Sequence, residues 1–218
     1  MPSITVENYL KRIFLEQQES GGEIVSMGRV AQAMGVVPGT ATTMVKSIAE
    51  SGWAHYEARK GVRLTEKGNR MALAILRRHR VIEVFLVKIL GFDWTEIHED
   101  AERLEHAVSD RVLKRIDDLC DNPNVDPHGD PIPSATGEFR SRPQMTLFEC
   151  PIDQPIRIAR VLKQEPDFLQ YAEEKGLVPG AWIRVIERNP IADAVTLHLQ
   201  NRGQITLGGK VAADITVE

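Results

Sequence analysis

The segment from residue 98 to residue 106 carries two histidines and four acidic residues, all of which are side chains that can bind metal ions. If the segment is helical, successive residues turn by about 100°, and four potential ligands share one face: His98, Glu102, Glu105 and His106. A separate apolar stripe would anchor the helix in a core; it consists of Ile97, Ala101, Leu104 and Val108. The segment therefore predicts a helix with one face for packing and one for metal chemistry.

Two further pairs of the same residue types lie outside this segment. His79 and Glu83 are four residues apart in a long predicted helix, so they are neighbours on its surface. Asp126 and His128 lie in the proline-rich segment 121–150, which we expect to be a linker or an irregular loop. Carboxylates and imidazoles without thiolates suit divalent first-row metals, and the share of carboxylates favours Mn²⁺ and Fe²⁺ among them.

Two other interpretations of these residues remain open. Histidine and glutamate at helical spacing are also common on solvated helix faces, where they make i,i+4 contacts. A hydrolytic two-metal centre would use the same donors, although the sequence shows neither an accompanying nucleophile nor a phosphate-binding loop. We therefore expect a metal-binding protein that is not an enzyme.

The first 70 residues predict a winged helix that binds DNA. Helices are expected at 5–20, 27–34 and 38–50, followed by a hairpin with a basic tip at 53–64. The second and third helices form a helix-turn-helix, in which hydroxyl side chains suit base edges and cationic side chains suit phosphates. A winged helix used only for protein contacts is the alternative. The expected DNA contacts are Pro38, Gly39, Thr40, Thr42, Thr43, Lys46, Arg59 and Lys60.

Composition limits the possible classes of protein. The chain has 218 residues and a formal net charge of −4, which gives no global reason to expect nucleic-acid binding, but residues 1–70 hold nine Lys and Arg against seven Asp and Glu. Cys120 and Cys150 form no Cys-x-x-Cys pair, so neither a disulfide framework nor a thiolate zinc site is indicated. No apolar run could cross a membrane and no secretory signal is recognisable, so we expect a cytoplasmic protein.

From residue 151 the pattern turns to short strands with one inserted helix near 166–174, which is typical of a small barrel. The predicted fold class is therefore mainly α with a small β domain. The predicted domains are a winged-helix DNA-binding domain at 1–72, a helical dimerisation and metal-binding domain at 73–140, a linker at 141–150 and a small β-barrel at 151–218.

These features together resemble the metal-dependent repressors typified by the diphtheria toxin repressor and the manganese transport repressors. Residues 5–13, TVENYLKRI, are similar to the first helix of that family, and residues 77–86, RRHRVIEVFL, to its dimer-forming helix. Residues 96–110 resemble its ligand helix, and residues 127–133, PHGDPIP, the segment after it. The resemblance covers nearly the whole chain and implies a homodimer that binds a palindromic DNA operator.

The metal ligands that the resemblance implies by position are Asn8, His79, Glu83, His98, Glu102, Glu105, His106, Asp126 and His128. Glu102 stands where iron-responsive members have cysteine and manganese-responsive members have glutamate, which favours Mn²⁺ over Fe²⁺. Asn8 stands where the family has aspartate or methionine, and Lys11 where some manganese members have glutamate. The chain is thus expected to be a Mn²⁺- or Fe²⁺-activated repressor of metal uptake genes. The alternatives are an iron-responsive member, a metal-dependent hydrolase and a regulator that is triggered by a small molecule.

Overall fold

The structure is a computed structural model that describes residues 2–21, 24–139, 145–200 and 202–218. Residues 141–144 of the predicted linker lie outside these ranges. The chain divides into two compact units, which we call the N-terminal unit and the C-terminal unit. The N-terminal unit comprises Met1–His79, Glu105–Val108 and Pro133–Phe139, and the C-terminal unit comprises Arg80–Leu104, Ser109–Ile132 and Arg140–Glu218.

The N-terminal unit begins with three helices and a two-stranded hairpin: α1 (Ile4–Glu19), α2 (Met27–Ala33), α3 (Pro38–Glu50), β1 (Ala54–Glu57) and β2 (Gly61–Leu64). The hydroxyls of Ser3 and Ser26 accept hydrogen bonds from backbone N–H groups in the first turns of α1 and α2, so both helices begin at caps. Pro38 occupies the first turn of α3, where its missing N–H costs nothing. This order confirms the predicted sequence of three helices followed by a hairpin.

Three further helices follow the hairpin: α4 (Glu66–Lys88), α5 (His98–Ala107) and α6 (Asp110–Leu119). The Thr65 hydroxyl caps α4 by accepting from Gly68 N at 3.1 Å. The segment that contains the predicted ligands is helical, as its spacing indicates, and Ile97 and Ala101 on its apolar stripe are fully buried. Leu104 departs from that stripe, since 37% of it is exposed. Among the described residues, no helix is both long and apolar enough to cross a bilayer.

The C-terminal unit contains an antiparallel sheet of six strands in the order β3-β8-β4-β5-β6-β7. Its core consists of aliphatic side chains from the strands and the inserted helix, such as Ile158, Leu169 and Leu197. The predicted C-terminal β domain is therefore confirmed. The elements are β3 (Met145–Thr146), β4 (Pro155–Val161), α7 (Pro166–Lys175), β5 (Trp182–Asn189), β6 (Ala194–Leu199), β7 (Gly203–Gly208), α8 (Gly209–Ala213) and β8 (Ile215–Val217).

The close contact between Gly68 and the start of the hairpin generates a stability prediction. A Cβ on Gly68 would lie 2.0 Å from the Trp53 carbonyl oxygen, which already accepts a hydrogen bond from Thr65 N at 3.0 Å. Gly68→Ala should therefore lower the free energy of unfolding by about 1–3 kcal/mol, although alanine is the better helix former. The matched control is Gly28→Ala in α2, where a Cβ meets nothing within 4 Å and stability should rise by up to about 1 kcal/mol. Urea denaturation measures both changes, and a stabilised Gly68→Ala variant would contradict this packing.

Candidate metal centre and DNA interface

The C-terminal unit brings three of the predicted metal ligands together. Glu83 near the end of α4, Asp126 and His128 each offer a ligand atom, and these three atoms all lie within 4.8 Å of one another. All three side chains are buried, with at most 5% of each residue exposed. Atoms bonded to one ion at about 2.1 Å lie up to about 4.2 Å apart, so small inward movements would complete the set. We call Glu83, Asp126 and His128 the Glu83 cluster.

A tight loop at residues 126–130 positions two members of the cluster. The Asp126 Oδ1 atom accepts hydrogen bonds from His128 N and Asp130 N, both at 2.9 Å, so this carboxylate holds its own loop closed. Gly129 has φ +90°, and a Cβ there would lie 2.0 Å from the carbonyl oxygen of Ala159 on β4. Only glycine fits this conformation and this approach, which explains the glycine in the DPHGD sequence that contains the two candidate ligands.

The orientation and tautomer of the His128 imidazole are those that a metal ligand requires. Its Nε2 atom lies 3.0 Å from the Trp94 carbonyl oxygen. Because a carbonyl can only accept, Nε2 carries the proton and Nδ1 presents a lone pair. Within the described residues Nδ1 is buried without a hydrogen-bond partner. Burial lowers the pKa of His128, which favours the neutral form that binds metals.

The electrostatics of the Glu83 cluster favour a bound cation. Burial, followed by repulsion from Asp130 and Glu83, raises the pKa of Asp126 well above its usual value. The Arg80 guanidinium opposes this rise, since its Nε lies 3.4 Å from Asp126 Oδ2, and its Nη2 lies 3.4 Å from Asp130 Oδ2. Arg160 also forms an ion pair with Asp130. The raised pKa of Asp126 indicates that these guanidiniums do not fully offset the effects of burial and of the neighbouring negative charge, which a divalent cation would compensate.

Three further predicted ligands on α4 and α5 have surroundings that differ from those of the Glu83 cluster. The His98 Nδ1 lies 3.4 Å from Glu83 Oε1, and its side chain is 57% exposed, so it stands at the rim of the cluster. His79 is buried and lies one helical turn before Glu83 on α4. Glu102 is half-buried on α5 and, among the described histidine, cysteine, aspartate and glutamate side chains, belongs to no group of three whose ligand atoms could hold one ion.

The last three predicted ligands are Asn8, Glu105 and His106. They lie in the N-terminal unit and make polar contacts there. Both Glu105 carboxylate oxygens accept hydrogen bonds from Lys11 Nζ, at 2.7 and 2.9 Å. The two ring nitrogens of His106 face Glu7 Oε2 at 2.7 Å and Asn8 Oδ1 at 2.8 Å. The residues predicted as ligands are therefore divided between the two units: Asn8, Glu105 and His106 lie in one, and the Glu83 cluster lies in the other.

Sequence reasoning missed several residues that shape the Glu83 cluster. Asp130 and Arg80 set its charge, and Trp94 orients His128 through its carbonyl oxygen. A signal for Asp130 was present, since a second aspartate follows His128 by two residues. No signal in the sequence could have shown the contribution of Trp94, because it uses a backbone atom.

The predicted DNA-contacting face of α3 is available to solvent. The Thr42 and Thr43 hydroxyls donate to the Pro38 and Gly39 carbonyl oxygens, at 2.7 and 3.0 Å, and each keeps acceptor capacity. Thr42 is half-buried, and the other predicted contacts on the helix are exposed, namely Pro38, Gly39, Thr40, Thr43 and Lys46.

The hairpin also presents its two predicted cations at the surface. Arg59 is exposed at the turn, where its φ of +66° is uncommon for a residue other than glycine. Lys60 is exposed as well, and its Nζ pairs with Glu57 Oε2 at 2.8 Å, which raises the pKa of Lys60. Of these two cations, Arg59 is therefore better placed for phosphate binding.

Comparison with known proteins places these features in a family. The N-terminal DNA-binding domain of iron-dependent repressors matches residues 1–62, their metal-binding and dimerisation domain matches residues 65–134, and the FeoA domain matches residues 145–218. The iron-dependent repressor IdeR of Mycobacterium tuberculosis is 28% identical over 227 residues, covering 98% of this chain and 96% of that protein.

Solved structures agree with this assignment. A manganese-dependent transcriptional repressor in complex with manganese has a TM-score of 0.87 and 37% identity, covering 97% of this chain and 98% of that one. ScaR with bound Cd²⁺ has a TM-score of 0.80 and 33% identity, covering 100% of this chain and 99% of that one. The chain therefore belongs to the family of metal-dependent, DNA-binding transcriptional repressors that includes IdeR and the diphtheria toxin repressor.

Proposed function

We propose that this protein is a repressor whose affinity for DNA rises when a divalent ion, Mn²⁺ in preference to Fe²⁺, binds the Glu83 cluster. The observation that carries the proposal is the buried set of two carboxylates and one imidazole whose ligand atoms lie within 4.8 Å of one another. His98 at the rim supplies a further nitrogen when its side chain turns inward, and His79 lies one turn away from Glu83 on the same helix.

The preference for Mn²⁺ follows from the donor atoms. Within the cluster two carboxylates and one imidazole offer hard or borderline donors and no thiolate, a set that suits Mn²⁺ better than softer ions. Relatives of both kinds support a divalent ion, since one is named as iron-dependent and another as manganese-dependent. The bound ion would neutralise the Glu83 and Asp126 carboxylates, while Trp94 and Arg80 keep His128 and Asp126 in place.

Thermodynamic linkage relates ion binding to DNA binding. If the DNA-binding conformation of the protein holds the ion tenfold more tightly, the coupling free energy is about 1.4 kcal/mol, and DNA must tighten ion binding by the same factor. The predicted contacts on α3 and the hairpin are the surface that reads DNA in this proposal.

We further propose that the protein acts as a homodimer on a palindromic operator in the cytoplasm and has no catalytic role. Two recognition helices related by a two-fold axis would read half-sites about one helical turn, or a multiple of one turn, apart. The division at 1–72, 73–140 and 151–218 stays a prediction, and the three matched family domains support it. The C-terminal sheet would form a small barrel of the FeoA type.

Loss of the Glu83 cluster should uncouple metal from DNA. Duplexes selected from a random library by the wild-type protein with Mn²⁺ would serve as the DNA probe, and their sequences test for two-fold symmetry. Glu83→Gln and Asp126→Asn should weaken Mn²⁺ binding by about 10- to 100-fold, because each removes an anionic ligand. The Mn²⁺-dependent gain in DNA affinity, measured by fluorescence anisotropy with and without a chelator, should disappear.

The matched control for these variants is Glu173→Gln on the exposed face of α7, which should behave as wild type. Equal Mn²⁺ responses of Glu83→Gln and the control would refute the proposed site. Unchanged DNA affinity on removing the metal from the wild-type protein would refute metal activation and favour a small-molecule trigger.

The DNA interface generates a prediction about salt dependence. Lys46→Ala and Arg59→Ala should each weaken binding of all duplexes similarly and reduce the slope of log K against log salt by about 0.9, since each loses one phosphate contact. Lys60→Ala should have a smaller effect, because Glu57 already pairs with this ammonium. Lys210→Ala on α8 is the control, and a salt slope for Lys46→Ala or Arg59→Ala that equals the control slope would rule that residue out as a contact.

A further inference from the structure

The N-terminal unit also contains a buried carboxylate, Glu105, whose negative charge is compensated by Lys11. Glu105 has a fully buried side chain, and the Lys11 ammonium from α1 lies 2.7 Å from Oε1 and 2.9 Å from Oε2. The Lys11 side chain is itself only 8% exposed. Both carboxylate oxygens thus bond to one compact cation, which is the arrangement that a metal ion would otherwise adopt against this group.

The neighbours of Glu105 are also engaged. His79 Nδ1 lies 2.6 Å from Glu105 Oε2, and His106 Nε2 lies 3.2 Å from Glu105 Oε1. The other His106 nitrogen lies 2.7 Å from a Glu7 oxygen. Each His106 nitrogen is therefore already within hydrogen-bond distance of a side-chain oxygen atom.

The residues of this N-terminal cluster do not fit a metal ion. Among the described histidine, cysteine, aspartate and glutamate side chains, every group of three with ligand atoms close enough for one ion contains Glu83, and none contains Glu105 or His106. A divalent ion at Glu105 would also have to displace the Lys11 ammonium or lie beside it, and two cations in a buried site repel each other strongly.

We infer that the Lys11 ammonium permanently fills a cation site at Glu105, so that each chain binds a single regulatory metal ion, at the Glu83 cluster. The ammonium fastens α1 to Glu105 within the N-terminal unit whether or not metal is present. Three of the residues predicted as ligands, Asn8, Glu105 and His106, then have a structural role around this internal cation. The inference rests on the proposed function only for the location of the remaining metal site.

Metal stoichiometry, measured on the full chain by equilibrium dialysis and elemental analysis, tests this inference. Wild type should bind about one Mn²⁺ per chain, and Glu105→Gln should still bind about one while losing thermal stability without metal, because it weakens the pair with Lys11. Glu83→Gln should bind well below one ion per chain at the lowest Mn²⁺ concentration that saturates wild type. If Glu105 were instead a metal ligand, Glu105→Gln would lose an ion, and that result would overturn the inference.

Removal of the ammonium gives the converse test. Lys11→Glu should admit a second Mn²⁺ per chain, and its melting temperature should fall without metal and recover on adding Mn²⁺, because the buried carboxylates then need an external cation. Lys11→Arg keeps a cation and should retain the wild-type stoichiometry, as should the surface control Lys210→Glu. If Lys11→Glu does not fold without metal, Lys11→Met, which removes the charge without adding a carboxylate, provides the same comparison.

The outcomes separate this inference from the proposed function. Two ions bound to wild type, one of which survives in Glu83→Gln, would overturn the inference and leave the Glu83 cluster intact as a site. One ion bound to wild type that survives in Glu83→Gln would refute the proposed site itself. A stoichiometry that stays at one in both Lys11→Glu and Lys11→Met, with no recovery of the melting temperature on adding Mn²⁺, would also overturn the inference.

Discussion

The buried negative charge around Glu83 is the constraint on which the metal centre depends. Glu83, Asp126 and Asp130 are each at most 5% exposed, and a carboxylate removed from water must find a cation or take up a proton. Arg80 and Arg160 supply part of the compensation, yet the pKa of Asp126 remains raised. The protein thus holds donor atoms in a state that favours a cation, which preorganises them for a metal ion.

Buried carboxylates at Glu105 and at the Glu83 cluster both need a compensating cation, and the source of that cation differs between the two places. At Glu105 the cation is the ammonium of Lys11, which belongs to the chain. It is present at every metal concentration and therefore cannot report that concentration. At the Glu83 cluster the compensating cation in our proposal is a diffusible ion, so occupancy would follow the concentration of free metal. A buried carboxylate can sense metal only if its cation can leave. In our proposal this difference gives the residues around Glu105 a structural role and the Glu83 cluster a regulatory one.

The weak charge of the DNA-binding region suits such a regulator. Residues 1–70 carry a net charge of only +2, and Glu57 pairs with Lys60, one of the two cations at the turn of the hairpin. Since phosphate contacts dominate non-specific affinity, a sparsely basic surface binds bulk DNA weakly. A coupling of one or two kcal/mol from the metal can then decide whether an operator is occupied.

The sequence by itself determined the helices, the hairpin and the C-terminal strands, because capping residues, turn residues and hydrophobic period are local properties of the chain. The helices predicted at 27–34 and 38–50 begin in the structure at Met27, after the Ser26 cap, and at Pro38. It also identified the ligand types, including Asp126 and His128 in an irregular loop. Only the tertiary structure decided which of these side chains meet, since the pairing of Lys11 with Glu105 joins residues 94 positions apart. The spacing of residue types along the sequence does not predict such contacts, because burial and charge compensation depend on which distant segments pack together.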